Sequence, residues 1–129
     1  MDDDPIYTLD EARALLPQIR ATLLQLSLER RRADDAHGAV HRAMRTVPDD
    51  GSPERARLEA ATTELRTRVR DLLDHLESLG VIVRDLEGGL VDIPTLRDGE
   101  DAWLCWRLAD PELGFWHSTG EGFATRRPL

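Results

Sequence analysis

Leu76-Glu77-Ser78-Leu79-Gly80-Val81-Ile82-Val83-Arg84-Asp85-Leu86 is where the chain changes period. Up to Leu79 the apolar residues recur in steps of three and four, as on one face of a helix. From Val81 they are β-branched and alternate, as in a strand. Gly80, between the two patterns, suits the left-handed cap that ends a helix. The stretch reads as α+β, with helices first and a sheet after them.

Upstream of that junction, Leu58, Ala61, Leu65, Val69, Leu72, Leu76 and Leu79 form the stripe of a helix over 53–79. Ser52 and Pro53 supply its cap and first position. Pro48-Asp49-Asp50-Gly51 is dense in turn formers. Before it a second stripe runs through Leu9, Ala12, Leu16, Ile19, Leu23, Leu26, Ala33, Val40, Met44 and Val47, with Arg30 and His37 in the two slots it skips. This predicts a first helix over 8–47, opened by the capping-box spacing of Thr8 and Glu11. Pro17 lacks an amide donor and predicts a kink or break there. So short a connection predicts an antiparallel helical hairpin. Leu15, Leu24, Leu28 and Leu73 lie off the stripes and need cover from the β module or from a second copy of the chain.

Downstream, Glu87-Gly88-Gly89 turns the chain back into Leu90-Val91-Asp92-Ile93, and Pro94 is expected to stop that strand. Arg97-Asp98-Gly99-Glu100-Asp101 is a second turn. Ala102–Leu108 is the strongest strand, and Phe115-Trp116-His117 adds a short one. The expectation is a small antiparallel sheet of three to four strands within a β module and tail over 81–129, all in one domain. All three Trp and both Phe residues lie in this stretch, so aromatic packing belongs to the sheet.

Composition narrows the functional classes. The chain has 129 residues, enough to bury a core without disulfides. All 17 basic residues are arginine, against 25 acids, for a net charge of -8. Such a field repels phosphate backbones and argues against nucleic-acid binding. Arg30-Arg31-Arg32, the one tight basic run, spreads over different helix faces. No apolar run approaches the roughly 20 residues of a membrane span, and Met1-Asp2-Asp3-Asp4 is acidic where a signal peptide is basic. With the lone Cys105, these features point to the cytoplasm.

Alternation assigns faces in the β module. Trp103, Cys105 and Arg107 point one way; Leu104, Trp106 and Leu108 point the other, toward the helices. If the strands pair in order, Asp92, Cys105, Arg107 and His117 converge on one surface, with Arg126 or Arg127 brought in by the tail as anion contacts. Thiolate, imidazole and carboxylate all bind zinc or iron, although spacings of 13 and 12 residues match no standard ligand pattern. A Cys-His nucleophile pair is a second reading. In a purely structural one, Asp92 and Arg107 form an ion pair and His117 bonds the backbone. A weaker metal candidate is Asp34, His37 and His41, since histidines four apart share a helix face; alternatively His37 is a polar stripe residue that sets register.

Tyr7-Thr8-Leu9-Asp10-Glu11-Ala12, Leu15-Leu16-Pro17, Gly89-Leu90-Val91-Asp92-Ile93-Pro94, Leu104-Cys105-Trp106-Arg107-Leu108, Trp116-His117 and Gly122-Phe123-Ala124 with Arg126-Arg127-Pro128 together resemble the bacterial domain-of-unknown-function 2203 family over essentially the whole chain. Ala109-Asp110-Pro111 stands where that family has Gly-Glu-Pro, and Thr125 where it has Gly. The resemblance implies no known activity or cofactor. It also implies that a functional surface belongs to the β module. The residues lead to a non-enzymatic binding or protein-interaction domain, with the hairpin as scaffold or homodimerisation arm. The second reading is a zinc or iron protein using Asp92, Cys105 and His117.

Overall fold

The computed structural model describes residues 5–43, 45 and 53–129. Met44 and Val47 of the first stripe, the turn at 48–52 and the acidic start at 1–4 lie outside the described residues. The order is α1 (Leu9–Ala43), α2 (Pro53–Ser78), then β1 (Ile82–Asp85), β2 (Leu90–Arg97), β3 (Glu100–Arg107), β4 (Phe115–Ser118), a 3-10 turn (Phe123–Thr125) and β5 (Arg127–Pro128). The five strands form one antiparallel sheet in sequence order. The contacts group into two compact units, one of residues up to Leu23 with Asp74–Leu129 and the other of Leu24–Leu73.

In the first unit, α1 starts where its cap predicts. The Thr8 amide donates to Glu11 Oε1 at 2.9 Å and the Glu11 amide to Thr8 Oγ1 at 3.1 Å. Pro17 does not break α1, which runs on through it. A proline here removes one intrahelical hydrogen bond, and the buried Ala12, Ile19 and Leu23 on either side hold the helix. These residues and Leu76 of α2 share the core with Val91, Ile93, Ala102, Leu104 and Trp106, the inner face of the sheet. Arg20 lies over the Trp106 ring, 5.0 Å from its centroid. Each fully buried aliphatic side chain contributes about 1.5–3 kcal/mol.

Two expectations for the sheet are corrected. Pro94 does not end β2, which continues to Arg97. The Pro94 carbonyl accepts from the Tyr7 amide at 2.9 Å. Its missing N–H points to that same side, past the end of β1, so no ladder bond to β3 is lost. The strand count is five because β5 pairs with β4 through Phe115 with Pro128 and Trp116 with Arg127. Two residues, one a proline, carry no alternation to read. What seats this strand is the side chain before it. Arg126 donates to Asp110 Oδ2 at 2.7 Å and to Oδ1 at 3.3 Å and lies over Phe115. The β2–β3 turn is Asp98-Gly99 with φ of 53° and 81°, the pair of left-handed residues that a two-residue hairpin requires.

In the second unit, Arg68 of α2 approaches Glu29 of α1 at 3.9 Å and Arg66 donates to His37 at 2.9 Å. The order of these contacts makes the helices antiparallel.

Gly99→Ala meets nothing within 4 Å and is opposed by backbone strain alone. It should cost about 1 kcal/mol in urea unfolding, similar to the roughly 1 kcal/mol expected of Thr8→Ala at the cap. The Asp110 carboxyl lies below its ordinary pKa; burial would raise it, but hydrogen bonds from Arg126 and Arg107 outweigh that. A depressed carboxyl stabilises the fold above its unfolded pKa of about 3.9 and loses that contribution as pH falls through the lower folded value. Asp110→Asn should therefore cost about 3 kcal/mol at pH 7. The gap between the two proteins should narrow below about pH 3.9.

Candidate functional site

β2, β3 and β4 pair so that Asp92 lies opposite Cys105 and Trp103 opposite His117. These residues share the sheet face that the inner core leaves free. Asp92, Cys105 and His117 are 2%, 1% and 1% exposed. Their ligand-type atoms all lie within 4.8 Å of one another, and they are the one group of three metal-ligating side chains among the described residues.

Asp92 and His117 are each held by a partner on one side that leaves another atom facing the cluster. Arg84 Nε donates to Asp92 Oδ2 at 2.8 Å, which leaves Oδ1 facing His117 Nε2 at 2.9 Å. His117 Nδ1 donates to the Ser118 carbonyl at 2.8 Å. That carbonyl can only accept, so Nδ1 carries a hydrogen. One proton is then shared between Nε2 and Oδ1, as imidazolium on carboxylate or as neutral ring on acid. The Arg126 charge favours the Cys105 thiolate, but more weakly than the effects that oppose it. Burial first, and then the Asp92 charge, push that thiol up to about 11.

This order of contacts excludes the Cys-His nucleophile pair. Both ring nitrogens of His117 are engaged, by Asp92 and by Ser118, so neither is aimed at Cys105. A thiol with so high a pKa is also a poor nucleophile at neutral pH.

Arg107 does not join the cluster, and the expected ion pair between Asp92 and Arg107 does not form. In the register Arg107 lies opposite Leu90, and Asp110, three residues on, binds both its amide and its Nε at 3.2 Å. The ion pair to Asp92 comes from Arg84 instead, which also lies over Trp103. Alternation along Ile82-Val83-Arg84 already put Arg84 on one face with Ile82, and the pairing of Ile82 with Asp92 makes that the face of the cluster. The two tail arginines part company. Arg126 lies over Phe115, the residue opposite Cys105, and so borders the cluster, whereas Arg127 pairs with Glu121 at 2.7 Å and lies over Trp116 on the opposite face. Each therefore has a carboxylate of its own chain.

Asp34, His37 and His41 are not gathered. His37 Nδ1 accepts from Arg66 at 2.9 Å, which places a guanidinium where a cation would have to sit. Asp34 lines the same groove, and His41 is exposed. No helix among the described residues is long and apolar enough to cross a membrane.

No match was found among curated proteins or among solved structures. The family model described as "Uncharacterized conserved protein (DUF2203)" matches residues 5–129, which include every strand and all of the Asp92, Cys105 and His117 cluster, and the chain belongs to that family.

Proposed function

We propose that the protein binds a single divalent transition metal, zinc in the first place, through Asp92 Oδ1, Cys105 Sγ and His117 Nε2. The observation that carries this reading is the convergence of three buried donors, two of which, Asp92 and His117, are each oriented by an outer partner. Outer partners of this kind are typical of metal sites. A histidine that gives one N–H to a carbonyl presents its other nitrogen as a ligand, and a carboxylate fixed at one oxygen presents the other.

Charge and softness favour the same reading. Carboxylate, thiolate and neutral imidazole together neutralise a dication, and this mix of oxygen, nitrogen and sulfur suits Zn2+. Ferrous iron is the runner-up. The metal would take the place of the proton shared by Asp92 and His117 and of the thiol proton, so binding releases protons. Three protein ligands leave a fourth position for water or an added donor. Nothing in the cluster is arranged as a nucleophile with its base, so the role we assign is binding without catalysis.

Protein purified without an affinity tag should hold close to one equivalent of zinc by elemental analysis. His117→Ala and Cys105→Ser should each remove it. Arg84→Gln, which keeps all three ligands, should weaken binding by about 10–100-fold. A folded protein that takes up no zinc or iron from a buffered metal solution would sink the proposal.

A further inference from the structure

Arg30 and His37 interrupt the apolar stripe of α1 at the two slots where packing alone calls for an aliphatic side chain. Within the unit Leu24–Leu73 they line a groove of about 210 Å³ with Ala33 and Asp34 and, from α2, Arg66 and Val69. Arg30, His37 and Arg66 are all exposed.

Arg66 is the exception among the arginines of its helix. An exposed helical arginine is ordinarily matched by an acid three or four positions away. The other four arginines of α2 each have one, as Arg68 has Glu64 and bonds it at 2.7 Å. Around Arg66 those positions hold Thr62, Thr63, Val69 and Arg70. It donates instead to His37 Nδ1 at 2.9 Å. A guanidinium only donates, so the hydrogen of the neutral His37 ring is on Nε2, a further donor. Asp34 follows Arg30 by one turn, but among the described residues neither Arg30 nor Arg66 forms an ion pair.

The groove therefore sets two guanidiniums against one carboxylate, in a chain whose net charge is -8. Local positive charge against the overall field is what an anion site requires. The bond from Arg66 to His37 would by itself fix the register of the two helices, but it leaves Arg30 without a role and most of the Arg66 donors unused.

We propose that this groove binds a phosphate group, with Arg30 and Arg66 donating from the two helices and His37 Nε2 as a third donor. Guanidinium forks match phosphate oxygens two at a time. A planar carboxylate satisfies one such fork. Donors set on both helices, and two turns apart on α1, suit a tetrahedral group that presents oxygens in several directions. Asp34 and the net negative charge of the chain disfavour a longer polyanion, so the phosphate is free or carried by a small ester.

Amide chemical shifts of the full chain, titrated with inorganic phosphate and with glycerol phosphate against sodium chloride of matched ionic strength, test this. Either phosphate should give saturable shifts confined to residues around 30–37 and 66–69, with Kd of about 1 mM or tighter. The tighter of the two probes tells free phosphate from ester. Arg30→Gln and Arg66→Gln should each raise Kd about tenfold or more with unchanged far-UV circular dichroism. Arg57→Gln, which removes the same charge from an exposed position of α2 outside the groove, should leave Kd unmoved. If Arg66→Gln loses helicity, Arg66→Lys, which keeps the charge and loses the fork, should still weaken binding. No saturable shift with either probe well above about 1 mM overturns the proposal. So does a Kd that Arg30→Gln and Arg66→Gln change no more than Arg57→Gln does.

Discussion

Asp92 sits in the middle of the sheet with almost no exposure to water, and a buried carboxylate is tolerated only when its oxygens are occupied. Its partners come from different strands: Arg84 from β1, Cys105 from β3 and His117 from β4. A slip of one residue in any pairing would turn the strand's side chains to the other face and leave the carboxylate uncompensated. The inner face is ordinary apolar packing, which accepts many arrangements of similar volume. The polar cluster accepts far fewer, and it ties register, tail and candidate site into one requirement.

The tail follows from the same constraint. Arg126 holds Asp110 and lies over Phe115, the residue opposite Cys105, so the residue that closes the sheet through β5 also borders the cluster. Asp110 in turn collects Arg107. The guanidinium that appeared from sequence to belong with Asp92 is needed to hold the turn after β3. Two arginines therefore flank the acidic and thiol donors, which eases the accumulation of negative charge when a thiolate forms.

Much of the architecture was legible because it rests on local chemistry. Thr8 and Glu11 cap a helix through their own backbone, and Gly80 and the Asp98-Gly99 turn supply the φ values that their turns need. The face shared by Asp92, Cys105 and His117 followed from alternation and a sequential strand order. What could not be read depended on contacts remote in sequence. Pro94 remains inside β2 because its empty side faces Tyr7 and not another strand. β5 is too short to show a period. Arg84 took the place expected of Arg107 beside Asp92, because the pairing of each arginine with its acid depends on register and on a turn, which no spacing rule supplies.

The central claim is that Asp92, Cys105 and His117 are held for a metal ion and not only for one another. X-ray absorption at the zinc edge of the untagged protein tests it most directly. The account predicts one sulfur scatterer near 2.3 Å and nitrogen or oxygen scatterers near 2.0–2.1 Å, about the distances of Cys, His and carboxylate ligation. A zinc shell without sulfur, or no retained metal in the folded protein, would contradict it.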